Sequence, residues 1–217
     1  MAKVFETKEF DAAVWEVTPG ARETEAVRHN AAKVGVDVLS FIAVGTMLMG
    51  LGVINTGWIA SSTSAVIFPV IVAAAIGLAG LAIHAVVGRR LALAGGLGFM
   101  AALGLTYVLL GAPTLLAAAA NADIAHALAM TFMIWAIVGA IVTVSLLARH
   151  FFMAAVFVMA DIALWVVMVS YLSPSTLSAN LAGYLSVIAA GLAFLVGLVA
   201  IVWPAGLRWP GGAVRLS

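Results

Sequence analysis

Residues 151–172 read FFMAAVFVMADIALWVVMVSYL, an almost continuous apolar run with one carboxylate, Asp161, set halfway along it. Coiled as an α-helix rising about 1.5 Å per residue, the run covers the roughly 30 Å of a bilayer's hydrocarbon core. It has no polar face with which to meet water, as the surface helix of a soluble protein would. It therefore reads as a transmembrane helix, and the composition agrees. Of the 217 residues, 65% are hydrophobic and 9% charged, against about 45–50% apolar in a soluble domain. The mean hydropathy is +1.21.

Comparable runs fall at Val38–Ile59, Ser64–Val87, Leu91–Leu110, Ala125–Leu147 and Leu181–Trp203. None alternates with period two, and all exceed the roughly 9–11 residues of a barrel strand. The fold class is therefore all-α, a polytopic six-transmembrane-helix bundle. The basic residues test that count. Lys3, Lys8, Arg22, Arg28 and Lys33 precede the first run, Arg89 and Arg90 lie between the second and third, Arg149 lies between the fourth and fifth, and Arg208 and Arg215 follow the sixth. With six spans, all ten Lys and Arg fall on one side, and Asp123 is the only charge in the opposite connections. Cytoplasmic loops collect Lys and Arg, so both termini are expected in the cytoplasm of a bacterial cell, with the chain a multi-pass protein of its inner membrane.

The expected organisation is a cytoplasmic segment over 1–36, a transmembrane domain over 37–204 and a cytoplasmic tail over 205–217. Within the first segment, TPGARETEAVRHNAAKVGV reads either as a helix lying along the membrane surface or as a solvated tail. The first 36 residues hold no short apolar stretch before a small-residue cleavage site, so the segment is expected to stay. Small residues recur at four-residue spacing at Ala189, Ala193 and Gly197, at Ala136 and Ala140, and at Gly98 and Ala102. They let helices approach closely, within the bundle or along an oligomer seam.

Several chemistries are excluded. There is no cysteine, hence no disulfide, zinc–thiolate site or thiol nucleophile. His84 and His126 stand near opposite ends of their spans, so no pair of imidazoles can hold a haem. No phosphate-cradling loop, HExxH or nucleophile elbow occurs, and no span contains a lysine that could form a Schiff base. No catalytic residue, metal or cofactor is expected, and the partners are the lipid bilayer and a small solute rather than nucleic acid.

Depth along each helix decides which polar residues can meet. Asp161 lies about 18 Å beyond Arg149, near the midplane, where an acid costs roughly 2.5–3.5 kcal/mol. Two readings of it stand: a proton-titrating or solute-facing group, or a neutral acid bonded to a neighbouring helix. His84 is only about 7 Å deep, which leaves it either snorkelling to the inner interface or relaying protons. Tyr107 and Thr106 sit at roughly 22–24 Å and Thr46 at about 12 Å, making them the expected neighbours of Asp161. Asn55, in LGVINTGWI, sits at about 25 Å, where it either binds a solute or caps the helix end. Trp58, Tyr107, Tyr171 and Tyr184 near the outer ends, with Trp203 and Trp209 near the inner ends, fit interfacial belts.

LSFIAVGTMLMGLGVINTGWI resembles the first span of the acetate uptake transporter family, the acetate/succinate–proton symporters, whose LINAG-like end corresponds to VINTG here. FMIWAIVGAIVTVSLLARHFFMAAVFVMADIALWVV resembles that family's fourth and fifth spans, and LAGYLSVIAAGLAFLVGLVAIV its sixth. The chain diverges at the Asn-Pro-x-Pro-Leu-Gly signature, where it reads KVGVDVLSF, and at the Gly-Tyr-Glu-Gly element, where Leu185 follows Gly183 and Tyr184. The resemblance carries over Asn55 and Tyr184, and it implies a homo-oligomer, a hexamer of bundles, each with its own pathway narrowed by aromatic residues.

Taken together, these readings make the chain a small-solute transporter or channel for a monocarboxylate such as acetate, proton-coupled through Asp161, with Asn55, Tyr107, Trp165, Tyr184 and His84 as candidates along the path or in coupling. The alternative is a non-transporting accessory subunit of a larger membrane complex.

Overall fold

A computed structural model describes residues 19–59, 66–117, 121–147, 150–173 and 176–202, with side chains from residue 35 on except 111–117 and 176. Six helices make up the described chain: α1 (Pro19–Asn55), α2 (Phe68–Val87), α3 (Leu91–Ala117), α4 (Ala122–Leu147), α5 (Phe151–Leu172) and α6 (Thr176–Val202). Each contains a stretch long and apolar enough to cross a membrane. The chain is a multi-pass membrane protein with an all-α, six-helix fold. Two compact units divide between Gly35 and Val36, and the described helices from Val36 on make up the bundle. Within the first unit, helix α1 is already under way at Pro19. The other expectations for residues 1–18 and 203–217, including Trp203 and Trp209, lie outside the described residues.

The helix ends follow local chemistry. Helix α2 starts at Phe68, with Pro69 in its first turn, where a missing N–H costs nothing; the expected start at Ser64 lies outside the described residues. Helix α4 starts at Ala122 because the Asn121 side chain accepts from the N–H groups of Asp123 (2.9 Å) and Ile124 (3.4 Å). Helix α2 ends in a Schellman turn. Arg90 N–H donates to the Ala85 carbonyl (2.8 Å) and Arg89 N–H to that of Val86 (2.9 Å), which puts Arg89 in the left-handed region at φ 56°.

That turn aims Arg90 at α1. Its guanidinium donates to Asp37 Oδ1 at 2.6 Å. At the other end of the same two helices, Tyr107 O–H donates to Asn55 Oδ1 at 2.7 Å. The two contacts are about 26 Å apart along α1 and along α3, so the helices run parallel and are tied at both ends across the membrane's thickness. Both Asp37 and Arg90 are more than two-thirds buried. Arg90→Ala, which leaves Asp37 unpaired, is expected to destabilise the bundle by about 1–2 kcal/mol. A lowered thermal unfolding temperature in mild detergent would register this.

Consecutive helices pair from α2 to α6, and α1 packs against α2, α3 and α6. The α1–α6 contact brings the two backbones close together. A Cβ on Gly52 would stand 3.0 Å from the Gly183 carbonyl oxygen, and one on Gly183 would overlap the Asn55–Thr56 backbone, 2.6 Å from Asn55 C. Further along, Phe194 fills the space beside Gly45 and Phe41 that beside Gly197. Backbones this close gain dispersion contact that lipid does not offer. Ala189 and Ala193, on the small-residue stripe of α6, are fully buried in the same bundle.

Candidate functional site

The end of α1 prepares the site. Thr56 donates its N–H to the Gly52 carbonyl (2.8 Å) and its hydroxyl to that of Val53 (3.1 Å). Gly57 then turns the chain at φ 72°, a conformation a side chain would strain. With Thr56 and Gly57 ending the helix, the Asn55 side chain is not spent on capping. It reaches across to Tyr107, which is 3% exposed. The depth estimates for these two residues agree with their meeting.

Below the pair lies a cavity of about 20 Å³, room for one or two waters. Its walls are Leu48, Leu51 and Asn55 of α1, Leu103 and Tyr107 of α3, Phe132 of α4, Ala160, Ala163, Leu164 and Val167 of α5, and Ser186 of α6. Five helices thus converge on it, and none supplies a charge. Phe132 closes one side, its ring 6.1 Å from that of Tyr107 and stacked at 5.7 Å on Tyr171. Ser186 donates its hydroxyl to the Ala182 carbonyl at 3.0 Å. Sequence reasoning missed Ser186 and Phe132. A helix serine usually satisfies its own backbone, so its hydroxyl is a weak signal, and an aromatic residue in an apolar span carries no mark of which way it faces.

Asp161 is elsewhere. Ala160, Ala163, Leu164 and Val167 point from α5 into the cavity, whereas Asp161 turns away toward α4 and is only half-buried. Its Oδ1 is buried without a hydrogen-bond partner and lies 2.6 Å from where a Gly139 Cβ would be, beside Phe99. Trp165, one helical turn on, is in polar contact with the carboxylate and is 38% exposed on the outer face of α5. Phe99 itself packs between Trp135 (5.6 Å) and Phe157 (6.1 Å). The expected neighbours of Asp161 are otherwise engaged. Thr46 and Thr106 give their hydroxyls to the carbonyls of Ile42 and Ala102, both at 2.9 Å, and Tyr107 gives its own to Asn55. Thr143, one turn from Gly139 on the same buried face of α4, also has a buried hydroxyl oxygen without a partner. His84 lies exposed in the last turn of α2, and Tyr184, 44% exposed, packs edge-on against Trp58 at 5.9 Å. Neither is part of the cavity wall. Among the described residues, no three His, Cys, Asp or Glu side chains gather as metal ligands.

No protein-family model matches the chain, and no curated protein matches it in sequence. Its structure is similar to that of the bacterial acetate channel SatP, with a TM-score of 0.66 over 78% of this chain and 92% of that one. The two share a fold. Identity over the alignment is 13%, so the likeness lies in how six helices are arranged and not in retained side chains.

Proposed function

We propose that this protein carries a small monocarboxylate such as acetate across a bacterial inner membrane, through the centre of each bundle, with both termini in the cytoplasm and several copies assembled together. The observation that supports this reading best is the cavity shared by five helices, where the Asn55 amide is held in place by Tyr107 among walls whose one other polar residue is Ser186. The fold shared with an acetate channel favours the same reading. An accessory subunit has no use for an oriented amide facing a cavity among five helices.

The test is uptake of labelled acetate into proteoliposomes. Wild-type protein is expected to raise uptake above protein-free vesicles. Asn55→Leu, which replaces the amide by a branched apolar group, is expected to return it to background. Tyr107→Phe, which costs one hydrogen bond of about 1 kcal/mol, is expected to slow it roughly five- to tenfold. Rates for both variants equal to wild type would refute the site. Proton coupling is part of this proposal, but Asp161 stands outside the cavity wall, so its carboxylate is not placed to exchange a proton with a solute there. Asp161→Asn is accordingly expected to leave the pH profile of uptake unchanged.

A further inference from the structure

The hydrogen-bonding capacity of the cavity specifies the charge of what it holds. Asn55 Oδ1 is occupied by the Tyr107 hydroxyl, which leaves the amide N–H groups as donors. The Ser186 hydroxyl hydrogen is committed to the Ala182 carbonyl, which leaves Ser186 Oγ as an acceptor. Tyr107 Oη, having given its hydrogen to Asn55, is an acceptor too. The remaining walls are Leu, Ala, Val and Phe. Tyr107, on α3, is the only titratable group in the lining; α1, α4, α5 and α6 contribute none.

A carboxylate wants donors at both oxygens and a positive charge nearby, because an ion taken out of water into apolar surroundings costs several kcal/mol. Here it would find donors from one amide and, in the same lining, acceptors that repel it. The undissociated acid fits instead. Its carbonyl oxygen accepts from Asn55 and its O–H donates to Ser186 Oγ or Tyr107 Oη. A primary amide presents the same edge, a carbonyl oxygen beside an N–H donor. We infer that the cavity takes neutral, planar carbonyl compounds, the undissociated carboxylic acid and its isosteric primary amide, and therefore that this protein also conducts small amides such as acetamide. The proton of a carried acid then travels on the solute itself. The cavity has room for one or two waters, so a two-carbon solute must widen it a little, and longer chains are opposed more strongly by Leu48, Leu51, Leu103 and Leu164.

This inference rests on the cavity being a solute path, and the experiment separates the two. Full-length protein in liposomes is given labelled acetamide or labelled acetate at several pH values, with and without an imposed potassium-diffusion potential, and protein-free rates are subtracted. Acetamide is expected to enter at a protein-dependent rate that ignores pH. Acetate entry should follow the undissociated fraction, falling about tenfold per pH unit above the acid's pKa of roughly 4–5. It should also ignore the potential and slow when acetamide is in excess. Ser186→Ala, a small change that removes one acceptor, is expected to slow both solutes by about fivefold. Acetate entry driven by the potential, with acetamide excluded, would overturn the inference and leave the path standing. No protein-dependent flux of either solute would overturn both.

Discussion

Gly183→Ala is expected to destabilise the bundle by about 3 kcal/mol, the upper end of what overpacking costs, and to abolish solute uptake with it. The added methyl has nowhere to go, because it falls on the backbone of Asn55 and Thr56, not on the far end of a flexible side chain. Relief requires α6 to move away from α1. That movement shifts Asn55 off Tyr107 and opens the cavity wall that Ser186 shares. A control lies one helix away. A Cβ on Gly95 or Gly98 of α3 meets nothing closer than 4.0 Å, so alanine at either position should leave the protein folded and gain slightly from helix propensity. Equal thermal unfolding temperatures for Gly183→Ala and Gly98→Ala would refute the close approach of α1 and α6.

Gly139→Ala, the second large effect, is expected to cost about 2 kcal/mol, because the new Cβ would stand 2.6 Å from Asp161 Oδ1. The combination with Asp161→Ala should recover most of that loss and leave only the 3.1 Å approach of Phe99 Cζ to be relieved. Non-additivity of about 1–2 kcal/mol is the signature of the contact. Additive losses would place the carboxylate somewhere other than over Gly139. Asp161→Ala alone removes a buried oxygen that has no partner together with the carboxylate's contact to Trp165, so its own net effect on stability should be small.

These two glycines mark the limit of what could be read in the chain. Small residues at four-residue spacing announce close packing, and Ala189, Ala193 and Gly197 do lie in the bundle. Gly183 and Gly139 belong to no such obvious stripe, and their neighbours come from segments more than 20 residues away in sequence. The pairing of Asn55 with Tyr107 was more legible. Each residue advances a helix by a fixed rise, so counting from the basic turns put both near one level.

Read alone, the chain already shows six apolar spans, each placed to within about four residues of where the structure has it, and the level of each polar residue along its own helix. Those follow from length, hydropathy and the placement of Lys and Arg. Which way each residue points around its helix axis is set by the packing of the bundle. In water, the contrast between core and solvent writes a helix's facing into its sequence. Here the lipid on one side and the bundle on the other are equally apolar. Depth therefore brought Asp161 level with the cavity, while its rotation about α5 set it against Gly139 and outside the wall, and the same unencoded rotation turned Ser186 and Phe132 inward.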